Sequence, residues 1–123
     1  MLRFILVLCG VIHLLPVSAV LGQAQIVSLY GVEVEDSNML LLLQHRAILF
    51  ALIGIFMITS VWRQRYLTTA CFTAVFSMSS FVILVLVNNP VNTLIQRVMW
   101  IDVALLVPLS LTWVVWRIYR TDG

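Results

Sequence analysis

A chain of 123 residues that is 63% hydrophobic and only 10% charged lacks the polar surface of a water-soluble domain, which is about a quarter charged. At a mean hydropathy of +1.11 its solvent is lipid, and its length holds four spans of about 20 residues in one integral membrane domain, 1–123, with no separate soluble domain. The net charge of +2 rests on arginines scattered along the chain rather than gathered into a patch, which excludes a nucleic-acid partner and leaves the bilayer as the first partner.

The first span, about 2–22, has Arg3 ahead of it. Small residues at Val17-Ser18-Ala19 or Gly22-Gln23-Ala24 offer a signal-peptide cleavage point. The run is longer than a usual signal core and carries His13 and Pro16, so a retained helix is the expectation. Pro16 removes one backbone hydrogen bond and should kink that helix. Cys9, and Cys71 further on, each stand alone in apolar runs and read as small buried residues. A disulfide between them requires the first and third spans to touch.

Gln23 to Asn38 is the one long polar connection. Ala24–Tyr30 reads as a short interfacial helix with Ile26, Leu29 and Tyr30 toward the lipid, ended by Gly31. Glu33, Glu35 and Asp36 read as a solvated loop rather than a metal site. Asp36, Ser37 or Asn38 then caps the second span, about 38–62. Inside that span Gln44-His45-Arg46 interrupts an otherwise apolar run. A charge at membrane depth costs about 2.5–3.5 kcal/mol even on a lenient scale, so Arg46 must face protein or trapped water.

The third span is about 66–87. On it Thr69, Thr73, Ser77 and Ser80 share one face, as close helix packing needs; a hydroxyl-lined ligand path is the alternative. Asn88-Asn89-Pro90 is a turn, with Asn89 as cap and Pro90 opening the fourth span, about 90–119. That span holds Arg97, Asp102 and Pro108 and ends in Trp113, Trp116 and Tyr119, an aromatic belt. Arg3, Arg63, Arg65, Arg117 and Arg120 fall on one side of an up-down bundle. The positive-inside rule then puts both termini in the cytoplasm.

Counting down from the outer side at 1.5 Å per residue, Arg46 and His13 lie roughly 13 Å deep, His45 roughly 12 Å, Arg97 roughly 10 Å and Asp102 roughly 18 Å. Four polar groups, His13, His45, Arg46 and Asp102, therefore share one layer, with Gln44, Tyr30 and Arg97 as contributors. Three readings follow. Arg46 and Asp102 form an ion pair that fixes helix register. Or the cluster is a pocket open to the outside for a small polar or quinone-like headgroup, with His45 and Arg46 donating and Asp102 accepting. Or His13 and His45 ligate haem. Arg97 is expected to snorkel outward. Glycine-rich nucleotide loops, HExxH and GxSxG are missing from the sequence, which leans away from an enzyme. The leading reading is a small membrane protein that binds a partner or a lipid-soluble ligand. A redox accessory subunit handling quinone or haem is a second reading. A structural subunit of a larger complex, or of a homo-oligomer, is a third.

The order His13 and Pro16, then Leu29-Tyr30-Gly31, then Gln44-His45-Arg46 with Gly54, resembles the DoxX-like group of small bacterial four-helix membrane proteins. The resemblance implies an all-α four-helix membrane bundle and a link to quinone-coupled oxidation. Some short proteins of this appearance carry the label phosphopantetheine adenylyltransferase. The chain offers neither that enzyme's HxGH-type phosphate motif nor room for a nucleotide fold. The CxxC of the disulfide-forming four-helix oxidoreductases is missing as well.

Overall fold

A computed structural model describes residues 1–88 and 90–121. Helix α1 is Leu2–Leu14, continued by a 3-10 stretch, Leu15–Leu21; α2 is Gln23–Tyr30, α3 Ser37–Ser60, α4 Gln64–Val87 and α5 Thr93–Thr121. Among the described residues there is no strand. Four of these segments are long and apolar enough to cross a bilayer: Leu2–Leu21, Ser37–Ser60, Gln64–Val87 and Thr93–Tyr119. The chain is a small multi-pass membrane protein built as an all-α four-helix bundle. Its outer faces carry Leu41, Leu42, Leu52, Ile55, Phe72, Leu84 and Leu111, all more than half exposed.

Local chemistry sets the helix limits. Asp36 is the cap of α3, its carboxylate accepting from the Asn38 N–H at 2.8 Å. Helix α5 starts at Thr93, later than the expected Pro90. Asn92 caps it, accepting the Ile95 N–H at 2.9 Å, while Pro90 lies in a bend ahead of it. The expected cap, Asn89, lies outside the described residues. Pro16 does more than kink its helix. With no N–H to give, it ends the α pattern, and the chain tightens into 3-10 turns until Gly22, whose φ of 133° suits glycine.

Helix α2 does not lie with its apolar side in lipid. Ile26 is fully buried, and Leu29 and Tyr30 pack with Ala19, Val34, Ala47, Leu40 and Leu43. Glycines at both ends fold these eight residues back over the bundle, Gly31 closing α2 in the left-handed region at φ 64°. Asn92 holds the fold-back, its amide nitrogen donating to the Tyr30 carbonyl at 2.6 Å.

Around the bundle the order is α1, α3, α4, α5, so α3 and α5 face each other across its centre. The closest crossing is α1 on α3. A Cβ on Gly54 would stand 2.6 Å from the Gly10 carbonyl oxygen, and a Cβ on Gly10 would stand 2.8 Å from the Gly54 carbonyl oxygen. Only paired glycines let two backbones meet like this, and in lipid such packing replaces the hydrophobic force. Around and below the crossing lies an apolar core of Leu6, Cys9, Met57, Leu67, Cys71 and Leu109, continued upward by Met78 beside Ser77. Both cysteines there are buried free thiols.

An arginine-centred cavity

His13 is on α1, one turn beyond Gly10, and is 6% exposed. Its Nδ1 is 2.8 Å from the Cys9 carbonyl and its Nε2 is 3.0 Å from Ser77 Oγ on α4. A carbonyl only accepts, so Nδ1 carries the proton. In the neutral ring Nε2 then accepts from the Ser77 hydroxyl. Ser77 thus leaves the hydroxyl stripe to bridge α4 and α1. Thr73 and Ser80 donate to carbonyls of their own helix.

Arg46, on α3, is half-buried. Its guanidinium carbon stands 5.0 Å from the Phe50 ring centre, 5.8 Å from that of Phe81 and 6.0 Å from that of Tyr30. Three ring faces therefore receive the cation, at about 0.5–2 kcal/mol for each such contact. Phe50 is four residues on from Arg46 and falls beneath it on the same helix face; its ring also meets His13 at 5.5 Å. Asp102, on α5, is 8% exposed. It lines the same cavity as Arg46, but no ion pair closes between the two within 4.0 Å. No side chain of the described residues hydrogen-bonds the Asp102 carboxylate, whose oxygens reach the cavity. The one fully enclosed polar atom without a partner among those residues is Trp113 Nε1, in the other half of the bundle.

Two chambers join at Arg46. The inner one, about 50 Å³, is walled by His13, Pro16, Phe50, Ser77, Val98 and Asp102. At about 30 Å³ per water it has the size of one or two small polar groups. The outer one, about 430 Å³, lies under α2 and the acidic loop. Its walls are mainly apolar, with Ile26, Val34, Met39 and Leu43, and Glu33, Glu35 and Asp36 ring it. Tyr30, Arg46 and Phe81 border both chambers. Burial keeps the Tyr30 phenol above its usual range, opposed by Arg46 and reinforced by Asp102, so Tyr30 presents a neutral hydroxyl.

The cluster expected from the sequence is thus partly assembled. His13, Arg46, Asp102 and Tyr30 converge on the cavity. His45 does not: it stands on the exposed side of α3, because successive helix residues diverge by about 100° and Arg46 takes the inward direction. His13 and His45 therefore do not oppose one another as paired ligands. Gln44 also stays off the cavity, and its amide donates to the Val20 carbonyl at 3.1 Å, tying α3 to the 3-10 stretch. Arg97 stands on the exposed face of α5. The aromatic seat of Phe50 and Phe81, and the Ser77 bridge, were not anticipated. Phe50 was legible from its spacing to Arg46, whereas Phe81 comes from another helix with no local signal.

Comparison with protein-family models, with curated proteins and with solved structures finds no match to this chain.

Proposed function

We propose that this membrane protein binds the polar head of a lipid-soluble ligand, with Arg46 as its anchor. The observation that supports the reading is a guanidinium seated on three aromatic rings, with no carboxylate of the described residues within 4.0 Å, where two chambers meet. Arginine's donors lie in a planar fork that suits an oxygen acceptor, and the rings leave that fork free. Asp102, across the inner chamber, balances the charge without consuming it. Tyr30 closes the roof. In this reading the cavity faces away from the cytoplasm and the ends marked by Arg63, Arg65 and Arg117 face into it, in a bacterial inner membrane. The DoxX-like resemblance belongs to the same proposal.

The test is native mass spectrometry of the intact protein released from detergent with its lipids. Wild type retains a small molecule, and Arg46→Gln loses it while keeping its thermal transition. Losing hydrogen bonds to a charged group costs about 1.5–3 kcal/mol, roughly a ten- to hundredfold loss of affinity. Equal retention by both proteins sinks the assignment of Arg46. For orientation, reporter fusions after Arg65 should read cytoplasm and fusions at Glu35 the outside.

A further inference from the structure

Resting on that reading, we propose that the ligand is a single-chain amphiphile with an oxyanion head, a carboxylate or phosphate, admitted sideways from the bilayer between α3 and α4. The seam between these helices holds two hollows of about 330 and 300 Å³, and both end at Arg46 and Phe50. The lower one runs past Leu49, Ile53, Thr73 and Phe76. Leu49 is 45% and Phe76 65% exposed, so this trough opens on the lipid face. From Arg46 to Ile53 it extends roughly 10 Å along the helix, carrying an open apolar wall from the arginine through the middle of the membrane.

The groove's polarity selects the head. The hydroxyls of Thr73 and Ser80 donate to backbone carbonyls of α4, and that of Ser77 faces His13. Arg46 is therefore the one charged donor along an apolar trough. Its cation at the upper end, more than 4.0 Å from the Asp102 carboxylate, complements an anion carrying an apolar tail. The route from water argues the same way. The outer chamber is ringed by Glu33, Glu35 and Asp36, whose carboxylates repel an anion coming from outside. A chain arriving within the bilayer never meets that ring.

The experiment titrates the full-length protein in detergent with laurate, dodecyl phosphate, methyl laurate and acetate, read by native mass spectrometry. Laurate or dodecyl phosphate should bind at least tenfold tighter than methyl laurate, and acetate at least tenfold more weakly than laurate. Preference for one of the first two identifies the head. Arg46→Gln should abolish the advantage over methyl laurate. Leu49→Trp, filling the trough, should weaken laurate at least tenfold; Phe76→Ala on the opposite wall, where no bulk is added, should also weaken it. Each variant is used only with a wild-type thermal transition. Laurate bound no better than methyl laurate overturns the oxyanion assignment. Laurate bound normally in both trough variants, but more tightly once Glu33 and Glu35 are changed to Gln, overturns the lateral path while leaving Arg46 as anchor. If Arg46→Gln binds every probe as wild type does, the binding reading fails as well.

Discussion

Around the Gly10–Gly54 crossing and below it the bundle packs closely: Leu6, Cys9, Met57, Leu67 and Cys71 meet with almost no accessible area, and a separate hollow of about 330 Å³ opens only beyond them, between Phe56, Ser60, Arg63 and Tyr66. Near Asp36 the same four helices stand around a chambered hollow holding His13, Arg46 and Asp102. The boundary between the two regions is the Gly10–Gly54 crossing, above which Pro16 diverts the first span into 3-10 turns. One half concentrates the van der Waals packing that holds helices together in lipid. The other half gives that packing up around groups that apolar neighbours would penalise. The contrast teaches that the chambers of the outer half go with their polar lining, since the same four helices pack closely around the crossing, where that lining is missing.

The largest blow to this division is predicted at the crossing. Gly54→Ala places a methyl against the Gly10 backbone, which cannot rotate away. It should cost about 3 kcal/mol, at the upper end of overpacking, and should also displace His13, whose Cβ is 3.3 Å from the new methyl position. Unfolding in a detergent titration measures the first effect. A stability equal to wild type would show that the helices do not touch there.

Ser77→Ala comes next. It strips the partner from a buried imidazole nitrogen and should cost about 1–2 kcal/mol, with Ser77→Thr recovering most of it. A loss confined to ligand binding, with unchanged stability, would move Ser77 from the frame of the cavity to its contents.

A smaller effect separates a cavity from an ion pair. Breaking a buried pair from one side costs about 3–5 kcal/mol. Arg46 and Asp102 face each other without contact, so a double-mutant cycle of Arg46→Gln and Asp102→Asn should give a coupling below about 1 kcal/mol. A coupling several times larger would mean that the pair closes in the membrane and the inner chamber with it. Smallest of all, Trp113→Phe removes a buried N–H that has no acceptor. It should be neutral or stabilising by a few tenths of a kcal/mol, since in lipid the separated helix also lacks a partner. Clear destabilisation would place a partner on that nitrogen.

The spans were legible because hydropathy over twenty residues is a coarse quantity that tolerates errors at its ends. The depth of the polar layer was legible too, since rise per residue is fixed. Direction around the helix axis was harder, yet part of it was in the sequence. His45 lies nine positions before Gly54, about 180° round the helix at about 100° per residue. Taking Gly54 as the mark of the packed face would have turned His45 outward and kept Arg46 near the inward side. Helix α2 held no such clue. Over eight residues an apolar stripe reads the same whether it meets lipid or protein, and the choice fell to Gly22, Gly31 and a hydrogen bond from Asn92 to a residue 62 positions away. Phe81 joined the arginine for the same kind of reason, through contacts between helices.

Asn92 spends one side chain on two tasks. Its amide oxygen receives the Ile95 N–H at the start of α5, and its amide nitrogen grips the last carbonyl of α2. Neither bond survives rotation of the amide by half a turn, so the roof over the outer chamber and the first turn of α5 share a single latch. Lifting that roof frays α5, and fraying α5 loosens the roof. In hydrogen exchange the amides of Ile95 and Gly31 should open as one kinetic unit. A ligand that pins Tyr30 should slow both, carrying news of an occupied chamber to the helix that bears Asp102.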